Sequence, residues 1–195
     1  MGLELAEQLG WETPDLLMYP TGGGTGLVGI WKAFEELATM GWINSGQPRF
    51  IAVQAEGCAP LVKAWEDKAE TTSLWENPVT DAPGLRVPGP FAGRQMLKIM
   101  RETGGHPHAV SERAIVDTQK LLAKLEGIWT GPEAAAALAA LCQMREAGDV
   151  ETGARVVVIL TGAGIKNPPP ALPAPIHLEG DPARVLDTVR RALGR

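Results

Sequence analysis

Residues 20–29, Pro20-Thr21-Gly22-Gly23-Gly24-Thr25-Gly26-Leu27-Val28-Gly29, constrain this chain more than any other stretch. An apolar run, Leu16-Leu17-Met18-Tyr19, precedes them and reads as a buried strand. Ile30, Trp31, Phe34 and Leu37 follow at the spacing of one helix face. Strand, glycine turn and helix together form a ready anion site. Glycines allow positive φ and close backbone approach, and a helix start offers unpaired N–H groups at its positive dipole end. The expected guest is phosphate.

The residues leave open whose phosphate it is. Gly24, Gly26 and Gly29 satisfy the G-x-G-x-x-G spacing of dinucleotide sites, and Glu56, beyond the second apolar run Phe50-Ile51-Ala52-Val53, stands where a ribose carboxylate belongs. A P-loop is rejected, because no Gly-Lys-Ser/Thr follows the glycines. A third reading takes Thr21 to Thr25 as a cup for one phosphate monoester, as in pyridoxal phosphate. A ligand-free turn is the plain alternative, although four glycines within five residues are more than a turn needs.

Strands and helices alternate along the rest of the chain. The pattern predicts helices over 2–9 and 25–40, a strand over 49–54 after a polar turn at Asn44-Ser45-Gly46, and a helix over 59–69. The prolines and glycines between Glu70 and Pro90 predict a long irregular loop. Helices are expected over 91–103, 112–125 with Ser111 as N-cap, and 132–147 with Pro132 in the first position. Short strands are expected at 108–110 and 155–160. The second is a β-branched run without alternation, which reads as a strand buried on both faces of a parallel sheet. The Leu and Trp stripes read as core. A proline-rich exit at Pro168-Pro169-Pro170 leads to a last helix over 182–193. The expected fold class is α/β, a mainly parallel sheet with helices on both faces and ligands at the carboxyl ends of its strands.

Composition narrows the partners. The net charge is −5, and no basic cluster follows a nucleic-acid backbone. No apolar run reaches membrane-spanning length, and the acidic amphipathic start lacks the pattern of a secretory signal. Cys58 and Cys142 are too few for a disulfide framework and read as reduced thiols in a cytoplasmic protein. His106-Pro107-His108 lacks a third ligand for a metal and reads as a surface turn, so no metal site is expected.

Four segments in order carry a likeness: Pro20-Thr21-Gly22-Gly23-Gly24-Thr25-Gly26, Gly84-Leu85-Arg86-Val87-Pro88, Glu126-Gly127-Ile128-Trp129-Thr130-Gly131-Pro132-Glu133-Ala134-Ala135, and Leu160-Thr161-Gly162-Ala163-Gly164-Ile165-Lys166-Asn167-Pro168. They resemble the tryptophan-synthase-β family of pyridoxal-phosphate enzymes (fold type II), and within it the C-terminal part of the threonine synthases. The resemblance covers residues 1–168, implying the C-terminal portion of the family's cofactor-binding large domain, with 169–195 as exit and C-terminal helix.

By that resemblance, the amides of Thr21, Gly22, Gly23, Gly24 and Thr25, with the Thr25 hydroxyl, hold the cofactor phosphate, and Thr161 faces the pyridine nitrogen. Arg86 is implied at the substrate mouth and Glu133 near the ring. Their plain readings are a surface arginine and a first-turn acid favoured by the helix dipole. The intact relatives make threonine and phosphate from O-phosphohomoserine. A threonine dehydratase-like lyase is the enzymatic rival, and a non-catalytic dinucleotide-binding module is the rival from another class.

The family's Schiff-base lysine motif is not matched, so no catalytic residue is assigned. Lys32 is expected to face solvent and Lys166 to be a turn residue. The expectation is a partial enzyme, inactive alone, whose partners are an amino-acid substrate, the N-terminal portion of the same enzyme, and a second copy in a homodimer.

Overall fold

Leu16–Pro20 forms strand β1, and parallel strands flank it on both sides. Strand β2 (Arg49–Ala55) pairs with one edge, Leu16 opposite Arg49 and Pro20 opposite Val53, and β3 (His106–Val110) pairs in turn with β2. Strand β4 (Val156–Val158) takes the other edge of β1, giving the order β3-β2-β1-β4. The computed structural model describes residues 1–43, 46–166 and 182–192. The expected turn residues Asn44 and Ser45 and the proline-rich exit lie outside these.

Helices cover both faces of the sheet. On one face lie α1 (Gly2–Gln8), α2 (Thr25–Thr39), α3 (Pro60–Glu66) and α4 (Gly93–Thr103). Leu27, Ile30, Phe34 and Leu37 of α2 pack there with Leu17, Phe50 and Ala52 of the sheet and with Met96, Leu97 and Met100 of α4. The predicted apolar stripe of α2 is therefore its core face. On the other face lie α5 (Glu112–Glu126) and α6 (Pro132–Glu146), with Leu16, Met18, Ile51 and Val53 packed against the alanines of α6. Small side chains let α6 lie close between the sheet and α5, which explains an alanine-rich helix buried nearly all round. A seventh helix, α7, spans Pro182–Ala192.

The α/β architecture expected from the sequence is the one observed, and its local signals hold. Ser111 caps α5, its Oγ accepting the Ala114 amide at 3.2 Å, and Pro132 opens α6. The long loop contains only a 3-10 turn at Pro83–Leu85.

Three expectations are corrected. His106-Pro107-His108 is not a turn but the first three residues of β3, where Pro107 is tolerated because β3 pairs only with β2 among the described residues and so lies at the sheet edge. The β-branched run is not buried on both faces. Val156, Val157 and Val158 are half-buried because β4 pairs only with β1 among the described residues. The Leu and Trp stripes are core only in part: Leu37 and Leu61 are buried and Trp31 and Trp65 pack half-buried against the same core, while Leu121 and Leu125 are exposed and Trp11 and Trp42 stack edge to face at the surface.

The strand order places the candidate site. From β1 the chain winds outward to β2 and β3, then returns across the other face to β4 on the far side of β1. The winding reverses between β1 and β4, and ligands of open α/β sheets bind beyond the carboxyl ends of the strands at such a reversal.

Candidate active site

Both segments that leave this crevice were singled out in the sequence. Residues 21–24 follow β1, and Thr161 follows β4. Met18 pairs with Val158, the last residue of β4, and Thr161 follows three residues further on. Thr161 is exposed.

The glycine loop is an arc of free donors. Gly24 is the N-cap of α2 and adopts φ 102°, a conformation that glycine reaches without strain. Among the described residues, the amides of Gly22, Gly23, Gly24 and Thr25 donate to no protein acceptor, and Thr25 is exposed. Four consecutive unpaired N–H groups at the start of a fifteen-residue helix suit a phosphate. Thr21 differs from its neighbours. Fully buried, it gives its amide to the Val53 carbonyl (2.7 Å) and its hydroxyl to the Tyr19 carbonyl (2.8 Å). Its part is to anchor the loop, and its own N–H is already used.

The mouth segment lies against this arc. A Cβ on Gly22 would stand 2.4 Å from the Gly84 carbonyl oxygen and 2.9 Å from Val87 Cγ2, so these backbones meet only because residue 22 is glycine. Glu133, in the first turn of α6, accepts the Gly84 amide at 2.8 Å on Oε1. Across the same helix start, the Gly131 amide and the Thr130 hydroxyl both donate to the Gly162 carbonyl, at 2.9 and 2.8 Å. The four segments of the likeness therefore touch in sequence: glycine loop on Gly84, Gly84 on Glu133, and the start of α6 on the turn after Thr161. Arg86 is exposed on the mouth segment.

Other candidates lie elsewhere. Glu56 is exposed at the end of β2, its amide given to the Val110 carbonyl. Lys32 pairs with Glu36 on the outer face of α2, and Lys166 is exposed in a 3-10 turn. His106 and His108 have ring centroids 6.2 Å apart, and His108 Nε2 bonds to Gln143 Oε1. Among the described residues, no three His, Cys, Asp or Glu side chains group to hold a metal, and no helix is long and apolar enough to cross a membrane.

Two residues beside the site escaped the sequence reading. Gln54 is fully buried on β2, with Oε1 accepting the Leu61 amide at 2.9 Å and Nε2 without a partner. A lone amide inside the apolar run Phe50–Ala55 was its signal. Cys58, noted only for redox chemistry, is a free and fully buried thiol under the mouth segment. Burial pushes it up from the ordinary thiol range, against the lowering effects of the Val87 amide and the Arg86 guanidinium.

Comparison with known proteins identifies the family. The sequence profile of the family described as pyridoxal-phosphate dependent enzyme matches residues 1–162. The chain is 35% identical over 184 residues to a threonine synthase of Methanocaldococcus jannaschii, covering 93% of this chain and 45% of that protein. It is 36% identical over 168 residues to a threonine synthase of Methanosarcina acetivorans, covering 86% and 41%. The chain thus spans about half the length of the curated relatives it matches. Among solved structures, a fungal L-serine ammonia-lyase from Rhizomucor miehei superposes with a TM-score of 0.69 at 24% identity, over 83% of this chain and 49% of that one. A threonine deaminase from Solanum lycopersicum gives 0.67 at 18% identity, over 100% and 48%. At these identities the structures share the fold.

Proposed function

The chain belongs to the family of pyridoxal-phosphate dependent enzymes, and from that premise we infer that it is the C-terminal part of a threonine synthase, a cytoplasmic enzyme that converts O-phosphohomoserine and water to threonine and phosphate. The observation that carries this reading is the set of unpaired amides from Gly22 to Thr25 at the switch point. They fit the phosphate of the family's cofactor, and the curated relatives matched by most of the chain bear the name threonine synthase. The dinucleotide alternative has only the exposed Glu56 and the glycine spacing in its favour.

When bound, pyridoxal phosphate supplies an electron sink for negative charge developing on substrate carbon. This chain's residues bind and orient. The Gly22–Thr25 amides fix the phosphate at the positive end of α2, with the Thr25 hydroxyl as a further donor. Thr161 would offer a neutral hydroxyl to the pyridine nitrogen, a partner that favours protonation there less than a carboxylate would. Arg86 offers a guanidinium to an anionic substrate group entering the mouth.

The covalent anchor is assigned to a segment other than this one. All seven lysines of the chain are exposed, with Lys32 paired to Glu36 and Lys98 to Glu102. We therefore assign as partners the N-terminal portion of the same enzyme, an amino-acid substrate, and a second copy in a homodimer. The test is threonine formation from O-phosphohomoserine by the purified 195-residue chain, alone and co-expressed with an N-terminal threonine synthase fragment carrying the lysine. The chain alone is expected to be inactive and the pair active. Activity of the chain alone that is lost on Lys166→Ala or Lys32→Ala would overturn the assignment.

A further inference from the structure

Glu133 touches the loop that frames the site. The segment from Gly84 to Ala92 lies along the glycine loop at two places: the Gly84 carbonyl and Val87 pack on Gly22, and the Ala92 amide donates to the Gly23 carbonyl at 3.3 Å. Its far half is tied by the Trp75 amide, which donates to the Pro88 carbonyl at 2.9 Å. Its near half reaches α6 through the Gly84 amide and Glu133 Oε1, at 2.8 Å. A hydrogen bond to a charged acceptor is stronger than one to a neutral group, and this one joins residues 49 apart in sequence. Beneath the segment lies Cys58, with the Val87 amide beside its sulfur and no exposed surface.

We propose that Glu133 is a positioning residue whose carboxylate latches the Gly84–Pro88 loop against the glycine loop, fixing the phosphate cradle and Arg86 without itself touching a ligand. The phosphate half of this statement rests on the function proposed above; the latch stands on the loop's geometry. With the latch released, the loop swings from the Gly22 backbone and uncovers Cys58. Cys142 lies on α6 itself, half-buried on a different surface, and serves as an internal reference.

The test compares the unsubstituted full chain with Glu133→Ala and Glu133→Gln. Peptide-resolved alkylation by iodoacetamide is read at Cys58 and Cys142, and inorganic phosphate is titrated calorimetrically. Glu133→Ala is expected to raise Cys58 labelling about tenfold, as a local opening does, with Cys142 unchanged. Glu133→Gln keeps an acceptor oxygen and should stay within about twofold of the unsubstituted chain. Phosphate affinity should fall in Glu133→Ala and be retained in Glu133→Gln. An unchanged Cys58 rate in Glu133→Ala, an equal rise at Cys142, or a glutamine variant as open as the alanine one would each overturn the latch. Failure of the unsubstituted chain to bind phosphate would refute the phosphate reading instead, and the labelling result would still decide the latch.

Discussion

The Thr21 amide donates a 2.7 Å hydrogen bond to the Val53 carbonyl, which carries the β1–β2 ladder one residue past the end of β1. The four amides that follow have no such partner among the described residues. The sheet thus fixes the base of the loop while its arc remains free to donate.

The conformation of Gly24 makes the arc sensitive to one methyl group. A Cβ there would lie 2.6 Å from Met96 Sδ and 2.9 Å from Ala92 Cβ, at a φ of 102°. Gly24→Ala should cost roughly 1–3 kcal/mol of stability, from backbone strain and the clash with α4. Urea denaturation measures that cost, and phosphate affinity should fall with it.

Gln54 predicts a second loss. Replacing it with leucine removes the acceptor of the Leu61 amide at the start of α3, leaving a buried donor unpaired. The expected cost is about 1–3 kcal/mol, reduced because the substitution also removes the unpartnered Nε2. The m-value of the urea transition should be unchanged, so the loss appears as a lower midpoint.

His106 should make stability depend on pH. Burial lowers its pKa from the usual 6.5, and the neighbouring His108 and Arg49 lower it further, while Asp149 opposes them. The unfolded chain therefore binds the proton more readily than the folded one. The contribution of neutral His106 is fully present above about pH 6.5 and is lost as pH falls through its lowered folded value. Melting temperatures recorded from pH 7.5 down to 5 should decline less steeply in His106→Gln than in the unsubstituted chain.

The sequence made the glycine turn, the caps at Ser111 and Pro132 and the core stripe of α2 legible, because each is a local pattern. It could not separate an edge strand from a central one at Val156–Val158. A β-branched run reads alike in both positions, and only the partners of β4 decide its burial. His106-Pro107-His108 read as a turn, yet an edge strand has positions whose missing N–H costs nothing. The bond from Gly84 to Glu133 joins residues with no pattern between them, so Glu133 read equally as a ring-side residue and as a first-turn acid. That Thr21 has spent its amide depends on Val53, a residue of the next strand.

The central claim is that the Gly22–Thr25 arc holds the phosphate of pyridoxal phosphate. Isothermal titration of the chain with pyridoxal phosphate and with NAD, repeated on Gly23→Asp, tests it most directly. The aspartate sets a negative charge among the donor amides. The account predicts that pyridoxal phosphate binds the unsubstituted chain, that NAD does not, and that Gly23→Asp abolishes the binding while keeping a native circular dichroism spectrum. Tight NAD binding with indifference to pyridoxal phosphate, or equal pyridoxal phosphate binding by Gly23→Asp, would contradict it.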